Sequence, residues 1–218
     1  MPIFRATSLD GLAAIAGLVV IVLATSFARA EDAGDAQSLF ARYHESVYQI
    51  RVIDNASNNK SSTGTGFLID PGGLVATNYH VIASVVDNPE KYRIEVIDRD
   101  ENVLLASLKN LDIVNDLALV KIDNAPGVPL HLRADASKKG DEVFSIGYPY
   151  DLGITVVPGT YNGLAPHSAT RRVHFTGSLN PGMSGGPAFS DDGQVIGVNV
   201  ATAGNQMSFL VPVSSLIE

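Results

Sequence analysis

In a chain of 218 residues, Asn180-Pro181-Gly182-Met183-Ser184-Gly185-Gly186-Pro187 surrounds one serine with residues that let the backbone turn sharply. Glycine adopts positive φ and admits close approach of other groups. A serine that is to attack a carbonyl needs an exposed Oγ. It also needs backbone N–H groups aimed at the oxygen that becomes negative in the tetrahedral intermediate. Gly182 and Ser184 are placed to donate those two N–H groups, and Gly182 does so without a side chain in the way. The plain alternative is a glycine-rich hairpin turn. A base, and a group to orient that base, would separate the two, because a serine hydroxyl alone is a weak nucleophile.

His80 is the best candidate base. It stands in Leu74-Val75-Ala76-Thr77-Asn78-Tyr79-His80-Val81-Ile82, directly after an apolar strand whose end would present it to a cleft. Asp116 is the candidate orienting acid, opening the apolar run Leu117-Ala118-Leu119-Val120 with a carboxylate at the mouth of a buried strand. Such a charge needs a partner. An imidazole Nδ1–H supplies one, and the pairing leaves Nε2 to accept the serine proton. Asp112 is the nearby competitor for this role. Gly182-Met183-Ser184-Gly185-Gly186 also satisfies the G-x-S-x-G pattern of α/β-hydrolases, but there the histidine follows the serine. Here all five histidines, at 44, 80, 131, 167 and 174, precede Ser184, so that assignment fails.

From Ser46 onward, short runs rich in Val, Ile, Leu, Tyr and Phe alternate with Gly, Pro, Asn, Asp and Ser, the texture of an all-β sandwich or barrel. Strands are predicted at 47–53, 66–69, 74–77, 92–98, 103–109 and 117–122. A second set is predicted at 142–146, 155–162, 171–175, 187–189, 195–200 and 208–211. Asn124 to Gly140 reads as the linker and Asp54 to Ser62 as an exposed loop. The expected architecture is two six-stranded antiparallel β-barrels, about 47–123 and 141–213, behind a short amphipathic helix carrying Leu39, Phe40, Tyr43 and Val47 with a cap at Asp35.

Together the three segments resemble those of the chymotrypsin-like serine peptidases, in particular their bacterial HtrA (Deg) branch, over about Val47 to Val213. His80 matches the T-N-x-H-V segment of that branch, Asp116 its D-[IL]-A-[VL]-[LI]-K segment and Ser184 its N-P-G-N-S-G-G-P segment. The resemblance implies a double barrel with its active site in the cleft between barrels, and peptide-bond hydrolysis through an acyl-enzyme. Exported or unfolded polypeptides would be the substrates. Carried over from the family's pocket, Ser178 would form the base and Val200, Ala201, Thr202 and Ser208 the walls, all uncharged, so cleavage after small or medium apolar residues is expected. Trimers occur in the branch, and its members usually continue into a PDZ domain; this chain is expected to lack one.

Met183 departs from both patterns. Digestive enzymes carry an acid there to pair with a new N-terminus and the HtrA branch carries Asn, so how the loop is held is left open. That departure also keeps alive a second reading, a catalytically silent module that captures peptides by adding a strand to a sheet edge.

A net charge of -8, without a Lys/Arg cluster, excludes a nucleic-acid surface. With no Cys, thiol chemistry and cysteine-ligated metals are excluded; no His and carboxylate spacing fits zinc, and no cofactor is expected. Residues 1–30 have the outline of a secretory signal peptide, with Arg5, an apolar run from Leu12 to Leu23, and small residues at Ala28 and Ala30 before the expected mature start near Glu31. The alternative is an uncleaved membrane anchor. Cleavage implies an exported, periplasmic or secreted protein; an uncleaved segment implies one anchored to the membrane.

Overall fold

The computed structural model describes residues 36–134, 137–166, 168–204 and 207–217; the predicted leader and the cap at Asp35 lie outside them. Helix α1 (Ala36–Tyr43) buries Leu39 and Tyr43. The Tyr43 ring stacks on Phe189 of the second barrel with centroids 5.0 Å apart. The helix gives way to a 3-10 turn (His44–Ser46), and Val47 already belongs to the sheet.

Six strands form the first barrel: β1 (Val47–Asp54), β2 (Lys60–Asp70), β3 (Leu74–Thr77), β4 (Tyr92–Ile97), β5 (Val103–Asp112) and β6 (Leu117–Lys121). They close in the order β1-β2-β3-β6-β5-β4. The second barrel comprises β7 (Glu142–Gly147), β8 (Thr155–Leu164), β9 (Val173–Phe175), β10 (Pro187–Ser190), β11 (Val195–Gly204) and β12 (Met207–Pro212), closed as β10-β11-β12-β9-β8-β7. Every pairing between these strands is antiparallel, as the sequence pattern predicts.

Each barrel fills its own interior with inward-facing apolar side chains. Ile50, Val52, Leu68, Val75, Val96 and Val120 pack in the first. Val143, Phe175, Met183 and Leu210 pack in the second. A third cluster joins Val47, Phe67 and Leu117 to Phe144, Ile146, Phe189 and Val198, so the two barrels share a continuous apolar seam. The linker pins that seam from outside. Its Leu130 N–H donates to Leu68 O at 2.8 Å, and its His131 O accepts from Val195 N at 2.8 Å.

Two segments differ from the sequence expectation. Lys60–Thr65, part of it read as loop, is the first half of β2, paired with β1 through a bulge between Val52 and Ile53. From Lys60 to Thr63 the polar side chains are exposed or half-buried, so the ladder and not burial orders that stretch. Helix α2 (Tyr79–Asp87) was not foreseen at all, although it buries Val81 and Ile82 on the first barrel. A short helix α3 (Ser214–Ile217) closes the described chain.

Candidate active site

Asn78 starts α2 in an extended conformation but does not cap it with its own side chain. The first turn of a helix leaves backbone N–H groups without intrahelical partners. Asp116, at the mouth of β6, fills that need from the strand paired with β3. Its Oδ1 accepts the His80 backbone N–H at 2.9 Å and its Oδ2 lies 2.7 Å from His80 Nδ1. A carboxylate only accepts, so Nδ1 carries the proton and Nε2 faces outward as the acceptor. Asp116 adopts φ +61, a left-handed conformation that Asp tolerates. In that posture its carbonyl accepts from Asn78 Nδ2 at 2.8 Å, so the residue is held at both ends. His80 stays half-exposed while the Asp116 carboxylate is largely covered. Asp112, the competing acid, is spent locally on Asn115, which holds its carboxyl below the usual range.

Ser184 sits at the end of the loop that the glycines shape. Thr65 N–H of β2 donates to Ser184 O at 2.8 Å. A Cβ at Gly185 would collide with Thr65 O and Thr77 Oγ1 and lie 3.0 Å from Asn78 N, so only glycine lets the loop reach the strand that leads into α2. The Ser184 carbonyl and the side chain of Val81, which follows His80, both lie against Gly64. The Ser184 hydroxyl donates to Val200 O at 3.2 Å. Among the described residues it makes no hydrogen bond to His80. The structure thus brings His80 and Asp116 into contact and sets Ser184 on the adjoining loop with its hydroxyl turned to β11.

Gly182 adopts φ +99, and a Cβ there would strike Tyr148 O. Its carbonyl accepts from Thr65 Oγ1 at 2.7 Å, and Thr65 Oγ1 in turn accepts the Tyr148 N–H at 3.0 Å. Pro181 O accepts Tyr150 N–H at 2.9 Å. Because a peptide unit is planar and trans, the Gly182 N–H points away from the turn that holds Pro181 O. Among the described residues neither that N–H nor the one of Ser184 donates to a protein acceptor.

Met183 is fully buried in the second-barrel core. Its N–H donates to Asn180 O at 3.0 Å, and its carbonyl accepts from Gly186 N at 3.1 Å and Asn199 Nδ2 at 3.2 Å. Apolar packing and a buried amide therefore secure the loop where other enzymes use an ion pair. Asn199 also accepts from Ser145 Oγ at 2.9 Å.

The remaining predicted pocket positions divide. Ser178 is exposed beside the loop, whereas Ser208 is fully buried and its Oγ accepts Leu179 N–H at 3.2 Å. On β11, Ala201 and Thr202 pair with Phe209 and Ser208. The Phe209 ring turns to His174, centroids 6.3 Å apart. Val200, Phe209, Met207, Leu164, His174 and Arg172 border an open groove of about 660 Å³. Burial lowers the pKa of the Arg172 guanidinium, and the charges of Asp116 and Asp112 oppose that shift.

Thr65, Asn199 and Tyr150 were missed in the sequence. They act through partners 117, 16 and 31 positions away, and no local pattern marks them.

The family model for the trypsin-like peptidase domain matches residues 64–198. A probable periplasmic serine endoprotease, DegP-like, of Rickettsia prowazekii is 39% identical over 148 residues, covering 63% of this chain and 28% of that protein. Serine protease HTRA1A of Danio rerio is 32% identical over 181 residues, 78% of this chain and 35% of the relative. The chain thus spans about a third of the length of these curated relatives. The crystal structure of Deg5 superposes with a TM-score of 0.70 at 28% identity, covering 83% of this chain and 90% of the other. The serine endoprotease from Yersinia pestis gives 0.71 at 27% identity, over 84% and 64% of the two chains. With the double barrel, the motif order and a family match over more than half its length, the chain belongs to the trypsin-like peptidases, in their HtrA branch.

Proposed function

We propose that the protein is an exported serine endopeptidase in which His80, Asp116 and Ser184 act as the triad and the N–H groups of Gly182 and Ser184 as the oxyanion donors. The observation that carries this reading is the 2.7 Å contact between His80 Nδ1 and Asp116 Oδ2, which fixes the tautomer with Nε2 free to take a proton. The hydroxyl of Ser184 leaves Val200 O by a rotation about χ1 between staggered wells, and catalytic hydrogen bonds of this kind often tighten only around bound substrate. Ser184 Oγ then bonds to the scissile carbonyl carbon as its proton passes to His80 Nε2. The carbonyl electron pair moves onto the oxygen facing the two donors. Collapse of this intermediate breaks the C–N bond, and the imidazolium returns its proton to the leaving amine. Water, deprotonated by the same nitrogen, releases the acyl group and regenerates the serine.

Substrates are unfolded or exported polypeptides, laid beside β11 with Val200 O freed to receive them. The resemblance-based pocket positions Ser178, Val200, Ala201, Thr202 and Ser208 carry no charge, which favours a small or medium apolar residue before the cut. The test is mass spectrometry of reduced, unfolded polypeptides after incubation with the purified protein. Fragments ending in Val, Ala or Ile are expected. Fragments ending in Lys or Arg would refute the specificity, and intact polypeptide bound to the protein would favour peptide capture without hydrolysis.

A further inference from the structure

We infer that Asp151 is a positioning residue that ties the oxyanion loop to the first barrel, through Lys60 and Gln49 on one side and Tyr150 on the other. The inference rests on the reading of the Gly182 N–H as an oxyanion donor. Its starting point is a strained turn. Within the 3-10 segment Pro149–Asp151, Tyr150 has φ +51 and Asp151 φ +59, two consecutive non-glycine residues in the left-handed region. Such conformations persist only where their surroundings impose them.

The surroundings that impose this one come from barrel one. Gln49 of β1, almost fully buried, donates Nε2–H to Asp151 Oδ1 at 2.5 Å. Lys60, the first residue of β2, pairs its ammonium with Asp151 Oδ2. That ammonium is the main cause holding the Asp151 carboxyl below the usual range, with Gln49 and Arg51 adding to it. Inward from Asp151, Tyr150 N–H donates to Pro181 O, which is the bond that turns the Gly182 N–H away from the turn. With the Asp151 anchor gone, the turn is free to relax toward the right-handed region. Tyr150 N–H then swings off Pro181 O, and the 181–182 peptide loses one of the constraints that orient the donor.

The energetics favour an effect on geometry over one on stability. The Lys60–Asp151 pair is partly exposed on both sides, and pairs of that kind contribute little to folding. A merely structural role therefore predicts no effect on turnover beyond any change in melting temperature. A positioning role predicts turnover loss at unchanged melting temperature.

Asp151→Asn removes the charge while keeping a residue that tolerates positive φ, and Lys60→Met removes the ammonium while keeping the alkyl length. The full-length protein and these variants are compared in casein hydrolysis. Each single variant is expected to lose about tenfold to a hundredfold in kcat with KM little changed, short of the ~10²–10³ lost when a donor is removed outright. The double variant is expected to lose no more than either single, the signature of one shared interaction. Wild-type kcat in Asp151→Asn, or independent losses that multiply in the double variant, overturns the inference. The coupling is also read apart from catalysis, in the amide ¹H–¹⁵N resonance of Gly182. It is expected to shift in both variants, and if it shifts while wild-type protein shows no turnover, the triad fails and the tether stands. An unmoved resonance refutes the tether whatever the activity.

Discussion

Replacement of Ser184 by alanine is expected to lower kcat of peptide hydrolysis by about 10⁵ to 10⁶, the scale of losing the nucleophile of an acyl-transfer triad. The same variant should fold with an unchanged melting temperature, since the hydroxyl is held only by one 3.2 Å bond to Val200 O. His80→Ala should fall to a similar level, and the double variant no lower, because the members of such a unit are not additive. Steady-state turnover of casein by the three variants decides the matter. Residual activity within tenfold of wild type would place the chemistry elsewhere.

Asp116→Asn is expected to cost about 10⁴ in kcat while leaving the fold nearly intact. The asparagine carbonyl still accepts the His80 backbone N–H, so the first turn of α2 keeps its cap. Its amide, though, presents N–H to Nδ1, which moves the ring proton to Nε2 and removes the acceptor that Ser184 needs. Asp116→Ala differs in kind. It also loses the cap and forces alanine into φ +61, so about 1 kcal/mol or more of stability goes with the activity. Guanidinium unfolding of the two variants beside their kinetics separates the roles. Equal turnover in Asp116→Asn and wild type would rule out Asp116 as the orienting acid.

The candidate site was legible in the sequence because its parts are local. Each of the three motifs lies within about ten residues, and the alternation of Val, Ile and Leu with turn residues located all twelve strands. What stayed hidden is what long-range packing decides. Val81, Ile82, Val85 and Val86 are β-branched and give no strong helical signal, yet they lie in α2, because Asp116 caps its start and Val81 and Ile82 bury against the barrel. Lys60–Thr65 lacks apolar alternation and is drawn into β2 by its ladder with β1. Met183 looked like a missing partner; burial and the Asn199 amide do for its loop what charge does elsewhere. None of the residues that hold Gly182 in place, Thr65, Tyr150 or Asp151, lies near it in the chain.

If His80 and Asp116 serve Ser184, folding activates one hydroxyl. Intact-mass and peptide mapping of the full-length protein after treatment with a fluorophosphonate tests it most directly. One phosphonyl group on Ser184 of the folded protein is predicted, absent after unfolding in urea and absent in His80→Ala. A folded protein that remains unlabelled, or that is labelled equally when unfolded, would contradict it.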